Sequence, residues 1–103
     1  MSKRARSGKE QREHDRKVRG IAQELKRKGY KVEADVKGFP QPETIGYKNP
    51  KRPDIHATGH GWEKIIEVET SSSAHTKRTR EQNKKFKSWA QRKSNRIYEL
   101  EMA

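Results

Sequence analysis

The chain contains no cysteine, which excludes a disulfide framework and any thiolate metal site. No apolar run approaches the roughly 18 residues of a membrane span, and no signal-peptide pattern is visible. A soluble, cytoplasmic protein with no membrane partner is therefore expected. Apolar residues are scarce: 27% of the 103 residues are hydrophobic and 39% are charged, a composition near the border with disordered chains. One domain with a limited core is the most that such a chain can build. Proline is confined to one stretch, all four residues lying between positions 38 and 53. There is no internal repeat.

Acids are the scarcer charge, and their distribution is uneven. The net charge is +12. Residues 1–19 hold eight Lys/Arg against three acids, and residues 77–96 hold nine against one, Glu81. The remaining nine basic and ten acidic residues sum to −1, so a locally acidic centre lies between two basic flanks. Such basicity points to a polyanion, for which nucleic acid is the commonest intracellular candidate. A solvated, solubilising surface is the bland alternative for either run.

Residues 1–9 lack apolar periodicity and read as a flexible basic arm ahead of a single domain spanning 10–103. From Glu10 to Lys28 the spacing predicts a helix, with Val18, Ile21, Ala22 and Leu25 in one stripe and Gly29 as its stop. Gly20 inside it costs about 1 kcal/mol relative to Ala, which suggests close packing on a sheet. Glu24 belongs to a solvated face. Residues 30–36 alternate as a half-buried strand, with Tyr30, Val32, Ala34 and Val36 on one side. The proline-bearing stretch 38–53 reads as a long loop, either a connector or a binding loop in which Tyr47, Lys48, Lys51 and Arg52 stack on bases and contact phosphates.

The next segment predicts a β-hairpin with strands 53–58 and 63–70 around Gly59 and Gly61. Glu67 and Glu69, two apart, share one face of a strand, and Asp54 opens the neighbouring strand about 4.8 Å away. Three carboxylates so close repel unless a cation sits among them, and oxygen-only ligands suit a hard ion such as Mg²⁺ or Mn²⁺. Ile55, Ala57, Ile66 and Val68 fall on the opposite, core-like face. His56 and His60 without cysteine make a poor zinc pair, and Trp62 is most simply packing. After a Ser-rich connector, whose hydroxyls or Thr76 can cap a helix, a second helix is expected to about Lys93. Thr79, Gln82, Asn83, Phe86, Trp89, Ala90 and Lys93 share its inner face. Residues 96–102 alternate as a closing strand with Tyr98, Leu100 and Met102 inward.

Pro53-Asp54, twelve intervening residues, then Glu67-Val68-Glu69 resembles the signature of the PD-(D/E)XK nuclease superfamily, which includes restriction endonucleases and archaeal Holliday-junction resolvases. The run Glu-Val-Glu-Thr followed by His75-Thr76 and Gln82 is similar to small archaeal members. The usual final Lys is Glu69 here, as in some restriction enzymes of the superfamily that still cleave. The predicted order α-β-β-β-α-β matches the superfamily core, so the resemblance implies an α/β, restriction endonuclease-like fold: a central mixed sheet flanked by two helices.

It further implies a metal-dependent endonuclease acting on DNA, branched DNA included, as a homodimer. Asp54, Glu67 and Glu69 would be catalytic. Asp54, Glu67 and the Val68 carbonyl would hold Mg²⁺ or Mn²⁺, with Gln82 and His75 supporting them. Lys48, Lys51, Arg52, Lys77, Arg78, Arg80 and Lys84 would touch nucleic acid. The positive charge of the missing Lys would come from Lys64 or His75. The resolvases' additional helix acid falls at Val18 and does not carry over. The alternative is a non-catalytic basic nucleic-acid-binding protein, or more remotely a virion or ribosome-associated one.

Overall fold

A computed structural model describes residues 7–74 and 76–103. The elements follow the expected order: α1 (Gly8–Arg27), β1 (Lys31–Ala34), β2 (Ile55–Gly59), β3 (Trp62–Glu69), α2 (Lys77–Gln91) and β4 (Arg96–Met102). The strands form one mixed sheet in the order β1-β2-β3-β4. β1–β2 and β2–β3 are antiparallel, and β3–β4 is parallel. Parallel neighbours need a crossover, which α2 supplies. No helix among the described residues is long and apolar enough to cross a membrane.

α1 begins two residues before the expected Glu10, because Ser7 and Glu10 form a reciprocal capping box that satisfies its first amides. Residues 7–9 of the expected arm thus belong to the helix start, and residues 1–6 lie outside the described residues. The helix ends where expected, with Gly29 adopting φ +97° beyond Lys28. Val18, Ala22 and Leu25 are buried against Val32, Ala34, Ile55, Ala57, Ile66 and Val68, the larger core. Gly20, expected to let the helix approach the sheet, is instead exposed, and a Cβ placed on it would meet nothing within 4 Å. It sits on the helix side away from the stripe.

β2 and β3 are joined by His60 and Gly61 with φ 54° and 82°, the two positive angles that a tight hairpin needs to follow strand twist. Trp62, at the turn end of the hairpin, is 42% exposed rather than packed. Parity divides β3: Ile66 and Val68 face α1, whereas Ile65 joins Phe86 and Trp89 of α2 in a second, smaller core. Thr76 caps α2, and the helix stops at Gln91 with Arg92 as C-cap, two residues short of Lys93. Tyr98 packs on the smaller core, but Leu100 and Met102, expected inward, are 45% and 48% exposed. They pair with Glu67 and Glu69, where the sheet face carries the acid end rather than the apolar centre of α2.

Phe86 is fully buried and anchors α2 to the sheet. Phe86→Ala is expected to cost about 3–5 kcal/mol, read as a fall in the urea midpoint.

Candidate metal and nucleic-acid site

The β2–β3 ladder ends at Ile55↔Ile66. One step further, side chains take over from backbone partners. The Asp54 amide donates to Glu67 Oε2 at 2.7 Å, and the Val68 amide donates to Asp54 Oδ2 at 2.8 Å. Glu67 and Glu69 are each only 4% exposed. Glu69 accepts a 2.7 Å hydrogen bond from Ser73 Oγ in the loop after β3. All three carboxylates line one cavity of about 470 Å³, together with Gln82, Thr79, Arg52 and Arg78. The expected convergence on one patch is therefore present.

Sequence reasoning missed His14. Its imidazole is buried, with Nε2 3.2 Å from Asp54 Oδ2 and Nδ1 3.0 Å from Asp15 Oδ1. Each ring nitrogen thus faces a carboxylate oxygen; an imidazolium would donate to both, a neutral ring to one of them. The signal was available: His14 continues the Val18–Ala22–Leu25 stripe one turn toward the N-terminus, a polar residue in an apolar row. Val18 itself is buried in the core, so α1 serves the site from His14, with Gln11 also on the cavity wall. Lys64 does not replace the missing ammonium. It lies on the α1 face by parity, paired with Ala57, and its Nζ stands 5.5 Å from the Tyr30 ring centroid. His75 lies outside the described residues.

The N-terminus of α2 meets this cavity through Thr76, Arg78 and Thr79. Thr79 donates its hydroxyl to Ser73 O at 2.6 Å, and its amide is capped by Thr76. That first turn has no acid and carries Lys77 and Arg78, although the macrodipole disfavours cations there by about 0.3–1 kcal/mol each. Amide donors, dipole and side-chain cations together make an anion-attracting corner. Lys51, Arg52 and Arg78 line the acid cavity. Lys48 and Lys84 line a second groove that shares Lys51 with it. Lys77 and Arg80 are exposed on α2 outside both.

The donor set suits a hard divalent ion. Asp54 Oδ1 enters no hydrogen bond among the described residues. Carbonyl directions alternate along a strand. Glu69 O takes the Ala103 amide on the β4 side, so Val68 O points to the β2 side, where Asp54 stands. Among the described residues, no three acids or histidines form a cage by themselves. An ion held here would combine Asp54, Glu67 and the Val68 carbonyl with water, as Mg²⁺ commonly does. His56 and His60 point apart, to Glu33 and Glu63 and to Lys28 O respectively, and share no ligand position.

No family model, curated protein or solved structure matches the chain.

A separate polar row crosses the same sheet face: Glu33, His56, Glu63 and Arg96, joined by contacts of 3.1, 2.8 and 3.0 Å. Arg96 also stacks over Trp89 at 4.2 Å. Burial pushes the Glu63 carboxyl up, but hydrogen bonds from His56 and Arg96 and their charges bring it below its ordinary value. A carboxylate depressed in the folded state adds stability above its unfolded pKa of about 4.3, and that stability is lost as pH falls through the folded value. Glu63→Gln is expected to flatten the acid limb of a stability–pH curve below pH about 4; an unchanged limb would contradict the assignment.

Tyr98 reports on the acid cavity. Burial, followed by the charges of Glu67, Glu69 and Asp54, raises its phenol well above the ordinary range, and its hydroxyl donates to Asn83. The neutral phenol favours the fold, so this stability fades as pH rises above about 10, where the unfolded phenol ionises. In an ultraviolet titration Glu67→Gln is expected to move the Tyr98 transition downward, and Tyr98→Phe to remove it.

Proposed function

We propose that the chain is a metal-dependent endonuclease of the PD-(D/E)XK superfamily, with a restriction endonuclease-like fold, hydrolysing phosphodiester bonds in DNA. The observation that carries this reading is the gathering of Asp54, Glu67, Glu69 and Gln82 in one cavity beneath the basic N-terminus of α2. Asp54, Glu67 and the Val68 carbonyl would hold Mg²⁺ or Mn²⁺, which supplies Lewis acidity toward the scissile phosphate. Arg52, Arg78 and the first turn of α2 would bind and orient the phosphate. Glu69 would accept a proton from the attacking water, with Ser73 fixing its carboxylate. His14 contacts Asp54 and helps to fix its position, and when protonated it would supply the positive charge that the motif's Lys would otherwise bring. Two copies pairing as a homodimer would present two such cavities to two strands.

One observation favours a second reading. Asp54 and Glu67 each accept a backbone amide, and such bonds alone stabilise the strand ends. On that reading the chain is a non-catalytic nucleic-acid binder.

The test is nicking of plasmid and branched DNA with Mg²⁺ or Mn²⁺. Asp54→Asn and Glu67→Gln keep an acceptor for each amide, so the fold is expected to survive. Each is expected to lower the rate by more than the roughly 10–100-fold typical of losing an outer partner of a metal site. Chelation should abolish cleavage. Cleavage that persists through both substitutions overturns the nuclease reading. Salt-dependent binding without cleavage in the unaltered chain favours the second, and binding indifferent to salt defeats both.

A further inference from the structure

Tyr47 is 96% exposed. A single exposed aromatic is ordinary on a protein surface, but this one stands on a built platform. Ile45 and Lys51 exchange two backbone hydrogen bonds of 2.7 and 2.9 Å, closing residues 45–51 into a short hairpin-like turn. Ile45 packs on the smaller core, and Lys85 of α2 donates to Lys48 O at 2.8 Å. Gly46 adopts φ +109°, and a side chain there would meet Lys85 at 2.7 Å, so the turn lies directly against the helix. The backbone under Tyr47 is thus held from both ends and from below, while the ring is left in solvent.

Beside the ring runs a groove of about 590 Å³ whose cations are Lys48, Lys51, Lys84, Lys85 and Arg92. Lys51 also lines the acid cavity, so groove and cavity are neighbours that meet at this side chain. A cationic channel with an aromatic face beside it is the arrangement by which single strands are bound: phosphates follow the charges and a base stacks on the ring. In a duplex the interior base faces are already stacked on one another, so away from the ends only an unpaired base can lie on Tyr47.

We propose that Tyr47 is a stacking platform for an unpaired nucleobase, and that the adjoining groove carries the phosphates of a single-stranded segment leading into the acid cavity. Resting on the nucleic-acid reading above, this names the substrate class: a nucleic acid with an unpaired stretch beside the bond to be cut. The backbone hydrogen bonds of the turn favour stacking, because mainly the ring's own rotations remain to be ordered.

The test measures binding of the full chain to fluorescein-labelled oligo-dT, oligo-rU and a blunt duplex of equal length, with chelator present to prevent cleavage. Tyr47→Ala is expected to weaken single-strand binding about 5- to 150-fold, the span that base–aromatic stacking covers. Duplex affinity should change less than about twofold, because Tyr47 supplies no phosphate contact there. Tyr47→Phe is expected to retain wild-type affinity. Lys84→Ala should weaken all three ligands and lower the salt slope on the single strands by about 0.7. The dT and rU arms tell DNA from RNA. Equal losses on single strand and duplex, no loss on either, or failure of Phe to substitute would overturn the inference. Nicking with Mg²⁺ is scored separately on the unaltered chain. Stacking without cleavage removes the nuclease step alone, and cleavage without Tyr47-dependent strand preference removes the stacking platform alone.

Discussion

The architecture depends on a reciprocal exchange at the open end of the hairpin, where Glu67 receives the Asp54 amide and Asp54 receives the Val68 amide. The ladder stops one residue earlier. A buried amide left without a partner would cost about 1–3 kcal/mol, so side-chain bonds replace the missing rungs and let the strands part without that penalty. The gap thus opened is the floor of the cavity. Because Asp54 reaches into it, His14 on the opposite layer becomes part of the same cluster. The loop after β3 is drawn in through Ser73 to Glu69, and Ser72 reaches back to Glu10 near the start of α1 at 2.8 Å. Both helix N-termini therefore converge on the end of the sheet where the acids lie.

That convergence organises the charge. A chain of net charge +12 places its most buried acids, Glu67 and Glu69, side by side, and surrounds them with basic side chains of different kinds. His14 is buried beside Asp54, Arg52 and Arg78 stand on the rim, and the dipole of α2 adds its positive end. Lys48, Lys84, Lys85 and Arg92 extend outward along the groove that meets the cavity at Lys51. Field strength is highest where water is least, so the interior charges dominate local chemistry. The exposed lysines govern approach and salt dependence.

Element order, the α1 stripe and the sharing of a face by Glu67 and Glu69 were legible because each follows from a period of 3.6 or 2. Gln82 was placed correctly by the same logic, three residues from Thr79 and four from Phe86 on the inner face of α2. What escaped has a common cause. His14 and the Glu33–His56–Glu63–Arg96 row are polar residues on inward faces, and periodicity classes them by type rather than by position. Lys64 went wrong by parity: its neighbours Glu63 and Ile65 face α2, so it cannot. Leu100 and Met102 show the converse, alternating as a buried strand should yet standing half-exposed. Gly20 was read as a contact because glycine inside a helix is costly, yet no neighbour approaches it.

The two readings of the acid pair differ in what they leave unexplained. Closing a strand end requires only acceptors, and the amide oxygens of Asn and Gln accept the same hydrogen bonds without charge. Three carboxylates in one cavity repel one another and resist burial. His14 faces one of them, Asp54, and Arg78 at the N-terminus of α2 stands beside them. Glu69 adds a third negative charge to those of Asp54 and Glu67 in that cavity. A strand clip has no use for that excess of negative charge, whereas a divalent cation does. The excess, more than the hydrogen bonds, is why the metal-binding reading is preferred over the structural one.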